Sequence, residues 1–226
     1  MKFNYYGQST FVITTENGTK LLFDPFFTSN PLTKTDPNSI EADYILVSHA
    51  HNDHAEDLPL IAKNTNAQII GMVELTDFYM LQGLNVHAMN IGGQFEFPFG
   101  TVKLTHAQHS SSMFINGLPV YMGEPVGFLL DIDGKRIYYS GDTSNFGDME
   151  LFGKEKPIDL AILPIGDNFT MGPHAASSAA KRLNTKSVIP VHYNTYPLIE
   201  QDPYAFAKML PDGVVTVVEP DTEVEI

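Results

Sequence analysis

Cysteine and tryptophan are both absent from the 226-residue sequence. Without thiolates, disulfides are excluded, and any protein-bound metal has to be held by His, Asp or Glu. Long apolar runs are missing too, since none approaches the ~18 residues that a membrane-spanning helix needs. The first eight residues lack the apolar core of a signal peptide. We therefore expect a cytoplasmic protein without membrane insertion.

Basic residues are also scarce, with 13 Lys and Arg against 27 Asp and Glu and a formal net charge of −14. A field of that sign repels phosphate backbones, which makes nucleic acid a poor partner. The arginines are Arg136 and Arg182, and few basic residues lie near the motifs described below. This shortage favours a neutral or weakly anionic small-molecule substrate. A homo-oligomer is left open, because no interface can be recognised in the sequence.

The composition, 43% hydrophobic and 18% charged, is that of a globular protein. Hairpin signals occur at Asn17-Gly18 and at Asp133-Gly134, each between short apolar segments. Alternating strand and helix patterns follow, so the same organisation occurs in each half of the chain. We predict an α/β fold, a four-layer αββα sandwich of two packed mixed sheets with outer helices. We expect one domain over residues 1–226.

Three segments carry specific structural predictions. Residues 44–47 form a continuous apolar run, which predicts a buried strand. The pattern after the following polar loop predicts one helix over residues 55–63. The valine-rich residues 214–218 are predicted as the final strand.

The polar loop after the buried strand has four potential metal ligands within six positions, in the pattern His49-x-His51-x-Asp53-His54. Alternate side chains of an extended segment point the same way, so His49 and His51 can share one cation while Asp53 and His54 serve a second. Imidazole with carboxylate suits zinc, with manganese or iron as alternatives. Three of the eight histidines fall in this window, which disfavours an incidental surface loop.

This pattern resembles the signature of the metallo-β-lactamase superfamily, and three later segments are similar to its other motifs in order and spacing. They are Gln108-His109-Ser110-Ser111, Tyr139-Ser140-Gly141-Asp142-Thr143 and Ile189-Pro190-Val191-His192-Tyr193. The resemblance implies a first metal on His49, His51 and His109. It implies a second metal on Asp53, His54 and His192, with the carboxylate of Asp142 between the two.

Within the superfamily the chain is most similar to a group of small bacterial and archaeal metal-dependent hydrolases, the UPF0173-like group. The resemblance is carried by His109-Ser110-Ser111 and by residues 166–172 and 190–197. Ascorbate-6-phosphate lactonases and N-acyl-phosphatidylethanolamine phospholipases are similar but more distant. One departure is His174, which stands where the group usually has an acidic residue.

Each candidate outside the histidine-rich loop has a structural alternative. Asp142 could cap a strand end, and His192 could be a core histidine, but the histidine cluster favours a ligand role for both. His109 competes with His106, because the two would face opposite sides of a strand. We choose His109 for its strand-end position beside two serines. Asp24 either orients a ligand imidazole or forms an Asp-Pro turn, and the sequence leaves this open.

The resemblance implies a metal-dependent hydrolase with two divalent metal ions, zinc before manganese or iron, that cleaves a small ester, lactone or phosphodiester. Asp53 and His192 are the candidate catalytic residues, with Asp53 as a proton carrier. The alternatives are a diiron redox protein of the same fold and a β-lactam hydrolase. His51 disfavours the redox alternative, because diiron relatives usually carry a carboxylate in place of a motif histidine.

Overall fold

The computed structural model describes residues 1–154 and 156–226, which form fifteen strands and six α-helices. The strands are β1 (Lys2–Tyr5), β2 (Phe11–Thr14), β3 (Lys20–Phe23), β4 (Tyr44–Leu46), β5 (Gln68–Met72), β6 (Val86–Met89), β7 (Gln94–Phe97), β8 (Gly100–His106), β9 (Ser112–Ile115), β10 (Leu118–Tyr121), β11 (Val126–Ile132), β12 (Lys135–Tyr139), β13 (Leu160–Pro164), β14 (Val188–Val191) and β15 (Thr222–Glu225). The helices are α1 (Asn52–Ala55), α2 (Leu58–Thr65), α3 (Val73–Met80), α4 (Met149–Phe152), α5 (Pro173–Arg182) and α6 (Pro203–Ala207). None of these described helices is long and apolar enough to cross a membrane.

Two large mixed sheets lie at the centre of the structure. The first has the strand order β15-β1-β2-β3-β4-β5-β6 and the second β14-β13-β12-β11-β8-β7, while β9 and β10 form a separate hairpin. In the first sheet, β1 to β3 are antiparallel and β3 to β6 are parallel. The second sheet repeats this division, with β8, β11 and β12 antiparallel and β12 to β14 parallel. The predicted organisation of hairpins followed by β-α units is therefore present in both sheets.

Three hydrophobic clusters pack the layers against one another. The central cluster lies between the sheets and includes Phe11, Phe23, Phe128 and Tyr139. The other two clusters pack α2 and α3 against the first sheet and α5 and α6 against the second. In β11, Phe128 joins the central cluster and Leu129 the outer one, because successive side chains of a strand point to opposite faces. The predicted αββα sandwich is confirmed.

The single helix predicted over residues 55–63 is wrong, because α1 and α2 are separated at Asp57. The Asp57 carboxylate accepts hydrogen bonds from the backbone N–H groups of Phe27 (2.7 Å) and Thr28 (2.9 Å). Pro59 then lies in the first turn of α2, where its missing N–H would have no helical partner anyway. The break thus ties the start of α2 to the loop after β3.

The strand predicted over residues 214–218 is also wrong. This segment meets β14 at one isolated bridge, where the Val188 N–H donates to the Val214 carbonyl (2.8 Å) and the Thr216 N–H donates to the Val188 carbonyl (2.9 Å). The next donor on β14 would be Pro190, which has no N–H, so the ladder cannot continue. The last strand is instead β15, which pairs antiparallel with β1.

Candidate metal centre

The four sequence motifs meet where strands of both sheets end. Residues 48–54 follow β4 of the first sheet, whereas His109, Asp142 and His192 follow β8, β12 and β14 of the second. β12 and β14 run parallel within the second sheet, so their carboxyl ends lie at one edge of it, and the contacts described below bring the end of β4 to the same place. Side chains that are far apart in the sequence therefore converge.

One group consists of His49, His51 and His109, whose ligand atoms lie within 4.8 Å of one another. Nδ1 of His51 is 2.9 Å from Nε2 of His49 and 3.3 Å from Nε2 of His109. Burial lowers the pKa of all three imidazoles, to about 4 for His109. These histidines are therefore neutral at pH 7, with ring nitrogens available as metal ligands.

A second group of the same kind consists of Asp53, His54 and His192. Oδ2 of Asp53 is 3.6 Å from Nε2 of both histidines. The His54 side chain is fully buried and that of His192 is 2% exposed, whereas that of Asp53 is 24% exposed. The carboxylate is thus the solvent-accessible member of this group.

Asp142 lies between the two groups. Its Oδ2 is 3.0 Å from Nε2 of His192, 3.2 Å from that of His54, 3.6 Å from that of His109 and 3.9 Å from that of His49. Its Oδ1 is buried without a hydrogen-bond partner. Nε2 of His54 is also buried and unpaired, because its contact with Asp142 does not have the geometry of a hydrogen bond. Leaving a buried polar atom unpaired costs about 1–3 kcal/mol. The two orphaned atoms fit ligands to a cation.

The charges of the buried site balance one another. Burial lowers the pKa values of His54 and His192, but the carboxylates of Asp142 and Asp53 raise them more, to about 9 for His192 and well above the ordinary value for His54. Burial raises the pKa of Asp142, but His192 and His54 hold it well below its usual range. The buried carboxylate of Asp142 therefore needs positive charge beside it, which imidazolium protons or metal cations can supply.

Asp24 holds His54 from the side away from the cluster. Its Oδ2 accepts hydrogen bonds from Nδ1 of His54 (2.7 Å) and from the hydroxyls of Ser48 (2.6 Å) and Tyr139 (2.5 Å), while its Oδ1 accepts from the Ser48 N–H (2.7 Å). Asp24 is near enough to His49 and His54 to form a ligand group with them, but these four donors already occupy its oxygens. It therefore orients the imidazole, which decides the alternative that the sequence leaves open.

Gln8, which the sequence does not single out, supports the second group. Its side-chain Nε2 donates to Oδ2 of Asp53 (2.7 Å), and its backbone carbonyl accepts from the backbone N–H of His192 (2.7 Å). Gln8, Asp24 and His192 have positive φ angles of 52°, 42° and 55°. Non-glycine residues rarely adopt this conformation, and such strain is concentrated at functional sites. Since Gln8 and Asp53 are 45 positions apart, no local sequence signal indicates their contact.

Comparisons with known proteins show the family to which the chain belongs. The family model of the Beta-lactamase superfamily domain matches residues 2–192. Two UPF0173 metal-dependent hydrolases, one from Exiguobacterium sp. and YtkL from Bacillus subtilis, are 47% and 49% identical to the chain, over all of both proteins in each case. The chain belongs to the UPF0173 family of the metallo-β-lactamase superfamily.

A solved structure of an archaeal protein is also similar to the UPF0173 chain. Igni18, a metallo hydrolase from Ignicoccus hospitalis, is 34% identical and superposes with a TM-score of 0.88, covering 99% of this chain and 97% of its own. The metallo-β-lactamase fold is thereby confirmed, whereas the more distant likeness to ascorbate-6-phosphate lactonases stays a prediction.

The remaining histidines of the UPF0173 chain lie outside both groups. His106 is exposed and packs against Phe146 with ring centroids 5.5 Å apart. His87 packs against Phe95 at 4.3 Å, and His174 is exposed on α5. The structure therefore brings together five of the eight histidines, and it places His109 rather than His106 beside the cluster.

Proposed function

We propose that this UPF0173 protein binds two divalent metal ions and uses them to hydrolyse a small ester, lactone or phosphodiester. Asp142 would provide a carboxylate to both ions, and each of the two groups would hold one of them. The first group is His49, His51 and His109, and the second is Asp53, His54 and His192. The strongest support is that a single oxygen, Oδ2 of Asp142, lies within 3.9 Å of imidazole nitrogens from both groups.

Zinc is the metal that we propose first. The donor atoms are imidazole nitrogens and carboxylate oxygens, and the sequence has no cysteine. This donor set suits zinc, with manganese and iron as the alternatives. When bound, such cations lower the pKa of a water ligand and polarise the oxygen of the scissile group.

Buried hydrogen bonds set the imidazole tautomers for this task. Asp24 accepts a hydrogen bond from Nδ1 of His54, so Nε2 is the nitrogen that would bind a metal once its own proton is displaced. The hydroxyl of Ser48 lies 2.9 Å from Nδ1 of His49, so that Nε2 is again the nitrogen directed at the site. These contacts allow the ligands to be oriented before a cation arrives.

Asp53 and His192 are the catalytic candidates. We assign to Asp53 the transfer of a proton from the attacking water. Its Oδ1 would accept this proton, because Oδ2 already accepts a hydrogen bond from Gln8. The 24% exposure of Asp53 allows it to pass this proton to solvent, whereas Asp142 is only 3% exposed. His192 would contribute to the reaction by positioning Asp142, since its Nε2 lies 3.0 Å from Oδ2 of that carboxylate.

We also propose that residues 1–226 act as one catalytic domain. The ligands after β4 come from the first sheet, and those after β8, β12 and β14 come from the second. Either sheet alone would carry an incomplete site.

Metal analysis of the purified protein tests the proposal. Wild-type protein should carry two ions per chain, and His51→Ala should lose metal together with activity on a panel of p-nitrophenyl esters, lactones, phosphodiesters and nitrocefin. The matched control is His174→Ala, which removes an exposed histidine outside both groups and should keep both ions. A His51→Ala protein that keeps two ions and full turnover would show that the ligand assignment is wrong.

A further inference from the structure

A cleft of about 770 Å³ opens beside the proposed metal ligands. Its walls come from the loop of residues 48–54, helices α1 to α3 and strand β9, and they include His51 and Asp53. Small-molecule sites typically have volumes of roughly 300–1,000 Å³. A substrate that reacts at the metal centre can therefore place one of its groups in this cleft.

Part of the cleft wall is apolar. It is lined by Ala55, Pro59, Phe78, Met113 and Phe114. Phe114 is 74% exposed, although a large apolar side chain gains free energy from being covered. An apolar group in the cleft would gain contacts with both phenylalanines.

The two residues that precede the hairpin β9–β10 contact the loop of residues 48–54, which places Phe114 close to the site. The hydroxyl of Ser110 lies 3.3 Å from Nε2 of His51. The hydroxyl of Ser111 accepts from the Ala50 N–H at 3.2 Å. The cleft wall and the proposed metal ligands therefore form one connected structure.

The cleft has no basic wall. Among the described residues that line it, none is lysine or arginine, and the carboxylates are those of Asp53 and Glu56. Glu56 is held by the backbone N–H (2.9 Å) and the hydroxyl (2.6 Å) of Ser29. A phosphate or carboxylate group in the cleft would face Glu56 without a compensating cation, and burying such a charge is costly.

Building on the proposed hydrolase activity, we infer that the cleft takes an uncharged, apolar group of the substrate, such as the alkyl chain of an acyl ester or lactone. Phe78 and Phe114 bind this group, and Glu56 selects against anionic ones. Substrates that have to place a phosphate in the cleft would therefore be poor, although the cations at the metal centre would attract them.

Chain-length series on the metal-loaded protein test the apolar preference. From the acetate to the octanoate ester of p-nitrophenol, kcat/KM should rise by up to about fourfold per methylene until the cleft is filled. Phe114→Ala should lower the preference for octanoate over acetate about tenfold, mainly through KM. Leu118→Ala is the matched control, because Leu118 is 67% exposed on the same hairpin but does not line the cleft. A preference that is flat with chain length, or equal in the two variants, would overturn the inference.

A binding measurement on the metal-free protein separates the inference from the proposed activity. n-Octanol should bind at least about tenfold more tightly than octyl phosphate, and Glu56→Gln should narrow that difference. If octyl phosphate binds as well as n-octanol to the wild type, the inference is wrong whatever the enzyme hydrolyses. If n-octanol binds as expected but no ester, lactone or phosphodiester is cleaved, the proposed function fails while the cleft assignment stands.

Discussion

Two members of the second ligand group are held by side-chain hydrogen bonds, whereas one of the corresponding contacts in the first group is to an exposed hydroxyl. Asp24 fixes His54, and Gln8 fixes Asp53 through its side chain. In the first group, His49 contacts the buried Ser48, but the partner of Nε2 of His51 is the exposed hydroxyl of Ser110 at 3.3 Å. As before, the second group is Asp53, His54 and His192, and the first group is His49, His51 and His109.

This difference indicates unequal preorganisation of the two proposed metal positions. Ligands that are oriented by neighbouring side chains lose less freedom when a cation binds. We therefore expect the second position to depend strongly on its supporting residues. The first should depend mainly on its ligands themselves.

Asp142→Asn should have the largest effect, because it removes a carboxylate that both positions share. We expect loss of both ions from the purified protein and a fall in kcat/KM of about a thousandfold or more, since metal catalysis contributes several kcal/mol of transition-state stabilisation. Metal stoichiometry and hydrolysis of the best substrate measure these effects. Retention of one ion at wild-type affinity would mean that Asp142 serves only one position.

Asp24→Asn tests whether the supporting residues matter for the second position. An amide cannot replace a carboxylate that accepts four hydrogen bonds, so His54 should lose its fixed orientation. Loss of such supporting partners typically weakens metal affinity about 10–100-fold. We expect a loss of this size for one of the two ions, measured by competition with a chelator.

The control for this variant is Asp221→Asn. Asp221 also has a positive φ, of 59°, and its carboxylate accepts hydrogen bonds from Thr33 and Thr35, yet it belongs to neither ligand group. Its substitution should leave both metal affinities unchanged. Equal losses in the two variants would point to a general loss of stability rather than to orientation of His54.

Proton release should distinguish the two positions. The raised pKa values of His54 and His192 mean that both imidazoles bind protons at pH 7 in the metal-free protein, and a cation has to displace them. Affinity at the second position should therefore fall as the pH falls below about 9, by about tenfold per pH unit for each displaced proton. The first group has lowered pKa values, so its affinity should be nearly constant between about pH 7 and pH 8.

Calorimetric titrations with zinc in buffers of different ionisation enthalpy count the released protons. One binding step should release protons and the other should release almost none. Equal release in both steps would remove the electrostatic part of the comparison.

The ligand-type residues could be found from the sequence, because each lies in a short motif at a strand end. Their supporting partners could not. Gln8 and Asp53 are 45 positions apart, and Tyr139 and Asp24 are 115 positions apart, so these contacts exist only once both sheets have packed. Local patterns report which residues can bind a metal, but not which neighbours orient them.

The fold shows the same limit. The two sheets follow from hairpin signals and apolar runs, yet 214–218 forms no strand because Pro190 of the neighbouring strand has no N–H to donate. The hairpin β9–β10 is not among the predicted hairpins, although its Asn116-Gly117 turn has positive φ at both residues. Strand β10 is exposed throughout and contains Pro119. The segments beside the turn therefore lack the alternation of apolar and polar residues that identifies a half-buried strand.

Ser110→Ala should have the smallest effect of the series. Nε2 of His51 loses its hydroxyl partner, but that partner is exposed and water can replace it. A net hydrogen bond is worth about 0.5–1.5 kcal/mol, and an exposed one lies at the lower end, so we expect only a two- to threefold loss of metal affinity. Ser144→Ala removes an exposed hydroxyl that contacts Gln108 instead, and it should change nothing at the metal centre. If Ser110→Ala weakened metal binding as much as Asp24→Asn, the first group would be as dependent on its surroundings as the second, and the unequal preorganisation inferred from the hydrogen bonds would be wrong.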